Sequence, residues 1–200
     1  MNRPASIAIP ERGARATRPR DLKLTIEQFV AINESGALDD FSKAELLDGK
    51  ISVVNAQHLP HARLKMALYD ALRDAVRANG TGLQLLVEGA IELGRHNLPE
   101  PDLFIWAPQP AERGAPDGSV KLVIEVADSS ERRDLGRKKR IYAAHGIAEY
   151  WVAVMRTRRI ERFAGLKDGA YARHDSVPFG NAVDSVTLSG IGLPAGWRAE

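Results

Sequence analysis

Apolar positions along the chain change their period several times, and each change predicts an element. Order begins near Leu24. Thr25, followed three residues later by Gln28, has the spacing of a capping box and opens a short helix. Two short apolar segments, 41–47 and 50–54, flank Asp48-Gly49. Both residues of that dipeptide tolerate the positive φ of a tight type I′ turn, so the segment reads as a β-hairpin with Glu45 on its incoming strand. Over 61–78 the residues Leu64, Leu68, Ala71, Leu72 and Ala75 recur at helical spacing, and Asn79-Gly80 supplies the stop. Strands follow at 84–93, 102–107 and 121–127. The last of these, Lys-Leu-Val-Ile-Glu-Val-Ala, is apolar enough for a sheet covered on both faces. Asp128 and Glu131 have capping-box spacing for a helix that ends near His145-Gly146. Strands at 149–154 and from Ile160 to Phe163 complete the pattern. Strands and helices in this order predict an α/β fold with helices packed on a central mixed sheet.

The first twenty residues do not join this pattern. They hold three prolines, five arginines and a single glutamate, and they lack the continuous apolar stretch of a secretory signal. They read as a disordered basic arm, leaving 21–200 as one domain. No apolar run approaches the roughly 18 residues that span a bilayer. The chain has no cysteine, which excludes disulfides, thiol catalysis, zinc thiolate sites and Fe–S clusters.

Net charge is only +2, which argues for neither a strongly cationic nucleic-acid binder nor an acidic disordered chain. Its distribution is uneven. The arm carries +4, and residues 132–162 set ten basic groups against Asp134, Glu149 and Glu161 for a further +7, so the remainder is −9. Local fields of this size matter more than the total.

Phosphate loops, dinucleotide fingerprints and nucleophile elbows are absent from the sequence. His58 and His61 sit three apart near a helix start, where a capping or surface role explains such a pair better than a metal site. The carboxylates are more informative. Asp102 follows Pro101 at the entry to a strand, and Glu125 interrupts an apolar strand, where an ionised side chain needs a partner or a cation. Downstream, Asp134, Lys138 and Tyr142 are each four apart and form one row on a helix, bordered by Leu135 and Ile141. A simple i,i+4 ion pair explains Asp134 and Lys138 but not the buried acid upstream. Arg133, Arg137 and Arg140 form a neighbouring row which, with Lys139, could hold phosphates. Carboxylates without cysteine or a histidine cluster favour a hard cation, Mg²⁺ or Mn²⁺, over zinc. A hard cation can polarise a phosphoryl oxygen, and a lysine beside it can stabilise charge on the pentavalent phosphorus. This is the composition of a metal-dependent phosphodiesterase site.

The order of these residues resembles the Uma2 family of nucleases, which carry the restriction-endonuclease-like, PD-(D/E)xK fold. The matching segments run from Leu24 to about Leu193. They are Leu-Thr-Ile-Glu-Gln-Phe near the start, Ala-Glu-Leu-Leu-Asp-Gly at 44–49, His61 at the long helix, Pro-Glu-Pro-Asp at 99–102 and Val-Ile-Glu-Val at 123–126, then Asp134-Leu-Gly-Arg-Lys138 with Tyr142-Ala, and Gly-Ile-Ala-Glu-Tyr-Trp ending at Trp151. The resemblance implies that Asp102 and Glu125 bind the metal, with the Val126 carbonyl as a further ligand and Glu45 as an additional acid. In the general pattern a lysine lies two residues after the second acid. Here that position is Ala127, and Lys138 on the following helix takes the lysine's place. Asp134 and Tyr142 would orient Lys138 or frame the site, with His61 and Glu88 in supporting positions.

The expectation is therefore a cytoplasmic, Mg²⁺- or Mn²⁺-dependent endonuclease, acting on DNA in preference to RNA. Cutting both strands of a duplex commonly uses two active sites, so a homodimer is expected. The alternative is a nucleic-acid- or protein-binding module that keeps the fold without useful catalysis, consistent with the modest charge. A carboxylate-pair glycosidase is disfavoured, because the basic segment has no purpose there and only 6% of the chain is aromatic.

Overall fold

The structure, a computed structural model, describes residues 22–54 and 58–198. The basic arm lies outside the described residues. Helix α1 (Ile26–Glu34) opens with the expected capping box: the Gln28 amide donates to Thr25 Oγ1 at 3.3 Å and the Thr25 amide to Gln28 Oε1 at 2.9 Å. Strands β1 (Lys43–Leu47) and β2 (Lys50–Val54) form the expected hairpin. Asp48 and Gly49 sit at φ 51° and 74°, the left-handed pair that a type I′ turn demands.

Helix α2 (Leu59–Ala78) begins two residues earlier than the periodicity suggests, with Pro60 in its first turn, where the missing amide costs nothing. Its buried stripe is Leu64, Leu68, Leu72 and Val76, joined by Lys65.

A six-stranded sheet forms the centre. It is built from β3 (Gln84–Val87), β5 (Leu103–Trp106), β7 (Val120–Ala127), β8 (Glu149–Val154), β9 (Arg159–Lys167) and β10 (Ala170–Pro178), in the order β10-β9-β8-β7-β5-β3. Within this sheet only β7 and β8 are parallel. A parallel pair needs a crossover, and a helical segment over 131–144 supplies it. Its first part, Arg133–Lys138, is π-helical, with the Lys139 amide reaching back five residues to the Asp134 carbonyl. Helix α3 (Lys139–Ala144) completes it. Two-stranded pairings at β4 (Ile91–Glu92) with β6 (Ala115–Pro116), and at β11 (Val183–Asp184) with β12 (Gly192–Leu193), lie outside the main sheet.

The expected strand at 84–93 is therefore two pieces. Glu88 adopts φ 52°, and at Gly89 a Cβ would lie 2.9 Å from the Phe104 ring, so the chain turns out of the sheet there. The β9–β10 hairpin was not expected beyond Phe163. Its turn, Asp168-Gly169 at φ 51° and 73°, repeats the chemistry of Asp48-Gly49.

Alternation along β7 sorts the core. Leu122, Ile124 and Val126 pack with the α2 stripe, Leu103, Ile105 and Trp151. Val123 and Ala127 face the other way, with Phe104, Ile141, Tyr142 and Tyr150. Burying each large apolar side chain contributes about 1.5–3 kcal/mol. Glu125 shares the parity of Val123 and Ala127, so the sheet aims its carboxylate toward the crossover helix. No described helix is long and apolar enough to cross a membrane.

Candidate active site

One cavity of about 400 Å³ brings together side chains from the hairpin, α2, β5, β7 and the crossover helix. Glu45, Asp102, Glu125, Asp134 and Lys138 line it, although each is nearly inaccessible to solvent. The fold explains how they meet. Leu46 and Leu98 exchange backbone hydrogen bonds at 2.8 and 3.3 Å, which staples the hairpin beside the Pro99–Asp102 segment. The Glu100 amide then donates to Glu45 Oε1 at 2.8 Å. Asp102 enters β5 beside β7, and the Val126 amide donates to its Oδ2 at 2.8 Å.

Each strand acid has its own cationic partners. From the crossover helix, Lys138 Nζ lies 2.8 Å from Glu125 Oε1 and 2.8 Å from Glu45 Oε1, and the Tyr142 hydroxyl donates to Glu125 Oε1 at 2.9 Å. From α2, His61 Nε2 lies 3.5 Å from Asp102 Oδ2 and Lys65 Nζ 3.8 Å from Asp102 Oδ1, while Lys65 also pairs with Glu88. His61 Nε2 is 2.9 Å from the Val126 carbonyl; a carbonyl only accepts, so this nitrogen carries the proton. A proton donor thus sits between two of the oxygens that the family resemblance assigns to a cation.

These surroundings separate the two acids. Burial opposes ionisation of Asp102, but the His61 hydrogen bond and charge, the Val126 amide and Lys43 together lower it to about 2. Burial dominates at Glu125, and with the negative neighbours Asp134, Asp102 and Glu45 it outweighs Lys138 and raises the carboxyl to about 7. Lys138 is itself desolvated, yet Glu125, Glu45 and Asp134 raise its pKa, so it stays protonated. Glu45 remains below the ordinary value despite its burial, chiefly through Lys138 and Lys43. Burial pushes the Tyr142 hydroxyl well above its ordinary value, which leaves it a donor.

The row Asp134–Lys138–Tyr142 is buried as a unit, but Asp134 and Lys138 do not form the simple pair that their spacing allows. The Asp134 carboxylate lies 3.3 Å from Arg133 Nε, and its carbonyl accepts from the Tyr150 hydroxyl at 3.1 Å. The basic residues diverge. Arg133 lines the cavity. Arg137 and Arg140 both reach the Asp48 carboxylate at the hairpin turn, Arg137 at 3.4 Å and Arg140 at 2.5 Å, and Arg137 also donates to the Leu47 carbonyl. The Lys139 ammonium sits 4.7 Å from the centre of the Phe163 ring. Glu88 meets the site through Lys65.

Sequence reasoning missed Lys65, Lys43 and the Asp128–Ser130 loop. Lys65 carried a signal: it is three before Leu68 and seven before Leu72, a position on the buried stripe. Asp128, read as a cap, lines the cavity.

Among the described residues, no three His, Asp or Glu side chains are gathered into a ready-made ligand cluster. The donor chemistry nevertheless suits a hard divalent cation. Oxygen donors predominate, and Glu45 Oε2 and Asp134 Oδ2 are buried without a hydrogen-bond partner. The positions that a cation would neutralise are now compensated by Lys138 and His61.

The family model described as "Putative restriction endonuclease", Uma2, matches residues 26–196. The chain belongs to the Uma2 family. Among solved structures, it is similar to a protein from Anabaena variabilis ATCC 29413 described as a putative nuclease belonging to DUF820, with a TM-score of 0.65 and 14% identity over 86% of this chain and 95% of that one. That likeness establishes the fold: a mixed sheet with helices on its faces. No curated protein matches this Uma2 chain. Membership places it in a nuclease family.

Proposed function

We propose that this Uma2 protein is a divalent-metal-dependent endonuclease that hydrolyses phosphodiester bonds, with DNA as its substrate. The observation that carries this reading is the convergence of Asp102, Glu125, Glu45 and Lys138 on one cavity from four separate segments of the chain. Asp102, Glu125 and the Val126 carbonyl would hold the ion, with Glu45 as a further acid. A bound Mg²⁺ or Mn²⁺ would supply Lewis acidity and an acidified water. Lys138 would contribute a fixed positive charge and hydrogen-bond donor where negative charge builds on phosphorus. Because it is held protonated, it acts as a donor and not as a base. Tyr142 and Glu45 would hold the Lys138 and Glu125 side chains in register, and His61 and Lys65 would do the same for Asp102. Arg133, which lines the cavity beside Asp134, would meet backbone phosphates. A homodimer would present two such sites to the two strands of a duplex.

The test is cleavage of supercoiled plasmid with Mg²⁺ or Mn²⁺, with EDTA as the control. Metal-dependent nicking or linearisation is expected; no cleavage with either metal overturns the reading.

A second reading, a non-catalytic nucleic-acid- or protein-binding module, is favoured by the engagement of Arg137 and Arg140 with Asp48 and by the lack, among the described residues, of a ready-made ligand cluster. Calorimetry separates the two. Mn²⁺ uptake supports the enzyme, and no uptake even with DNA present supports the module.

A further inference from the structure

The cavity contains a lysine to which the proposed reaction assigns no contact with substrate. Lys43 is two residues before Glu45 on β1 and lines the same cavity, opposite Val54 at the open end of the hairpin. It is half-buried, whereas Glu45, Asp102, Glu125 and Lys138 form an almost inaccessible floor. Lys138 is held between two carboxylates, and Arg133 lies against Asp134. Among the described residues, the Lys43 ammonium has neither a hydrogen bond nor an ion pair. It is nevertheless close enough to the acids to help lower Glu45 and Asp102.

A lysine on a cavity wall above a cluster of acids would ordinarily be drawn into an ion pair with one of them. Among the described residues, Lys43 keeps its three donors unengaged on the half-buried wall of the cavity. The Lys43 ammonium is compact and flexibly tethered, which suits an arriving phosphate that needs a point charge more than a planar fork.

We infer that Lys43 is a substrate-binding residue that holds the backbone phosphate next to the scissile one as a nucleic-acid strand enters the cavity. This rests on the nuclease reading. The scissile phosphate must reach the floor, so the half-exposed wall at Lys43 meets its neighbour. Lys43 binds and Lys138 acts at the reacting phosphate; the two lysines divide the work by depth.

The test is binding of a fluorescein-labelled oligonucleotide, followed by anisotropy over a range of salt, with Ca²⁺ replacing the catalytic metal. Wild type is compared with Lys43→Met, which keeps the apolar stem, and Lys43→Arg, which keeps the charge. Circular dichroism verifies the fold, and Mn²⁺ calorimetry verifies the floor. Lys43→Met is expected to bind roughly 3- to 10-fold more weakly and to lose about 0.7–0.9 from the log–log salt slope, the signature of one phosphate contact. Lys43→Arg is expected to stay within about 2-fold of wild type, and all three proteins to take up Mn²⁺ with the same stoichiometry. Unchanged affinity and slope in Lys43→Met overturn the proposal, as does weaker binding with an unchanged slope, which would mark a packing role. Wild type that binds no oligonucleotide and cuts no plasmid overturns the nuclease reading itself. Wild type that binds and cuts while Lys43→Met matches it overturns only the role of Lys43.

Discussion

Lys138 and Glu125 meet at 2.8 Å inside the fold, one on the crossover helix and the other at the centre of the parallel pair β7–β8. Both are almost fully buried, and Glu45 closes the pair from the other side. Removing the lysine leaves two carboxylates without their cation. Lys138→Met is therefore expected to lose cleavage and also about 3–5 kcal/mol of stability, the usual cost of stranding buried charge. Denaturant titration beside the plasmid assay checks both. Full stability in this variant would show that the acids do not depend on Lys138.

The two strand acids impose opposite pH dependences on the metal-free protein. Glu125 is raised from 4.5 to about 7, so the folded chain holds a proton that the unfolded chain releases within that window. Its contribution to stability is complete below 4.5 and is lost as pH rises through 7. Asp102 is lowered from 3.8 to about 2, so its contribution is present above 3.8 and is lost as pH falls through 2. Melting curves in EDTA from about pH 4.5 to 8 should show wild type losing Tm relative to Glu125→Gln. Parallel curves would contradict the raised carboxyl.

Metal should reverse this trend. Ligand carboxyls must be ionised to bind, so the gain in Tm from Mn²⁺ is expected to grow between pH 5 and pH 7.5. Scanning calorimetry with and without Mn²⁺ measures it; a gain independent of pH would place the ion elsewhere.

Asp48 anchors the hairpin that carries Glu45. Its carboxylate receives Arg137 and Arg140, and both cations hold it below the ordinary range against its partial burial. Asp48→Asn keeps a residue that tolerates positive φ and removes only the charge, so a loss below about 1 kcal/mol is expected for these partly exposed pairs. Asp48→Val adds strain at φ 51° and should cost more. Equal stability of the two variants would contradict the turn's contribution.

The legible part of this site was the part written in local spacing. Asp48-Gly49 and the Thr25–Gln28 box depend on neighbouring residues alone, and both form as expected. An acid within an apolar strand marked Glu125, but the same reasoning does not separate it from Glu149. That residue is also a buried strand acid, yet its carboxylate accepts from the Trp151 indole, Ser185, Thr187 and the Val186 amide, and so secures the C-terminal loops. Only the partners, fixed by tertiary structure, distinguish the two. The π-helical turn was likewise not legible, since Asp134, Lys138 and Tyr142 fit a regular helix equally well. The β9–β10 hairpin escaped because β10 is largely exposed, and its sequence has no apolar alternation to follow.

The central claim is that Asp102 and Glu125 form the working centre of a metal-dependent nuclease. The most direct test compares wild type, Asp102→Asn and Glu125→Gln in Mn²⁺-dependent plasmid cleavage, with circular dichroism showing that all three are folded. Wild-type cleavage, falling by at least about 10²-fold in each variant, is the predicted result. Cleavage that persists at the wild-type rate in both folded variants would contradict it.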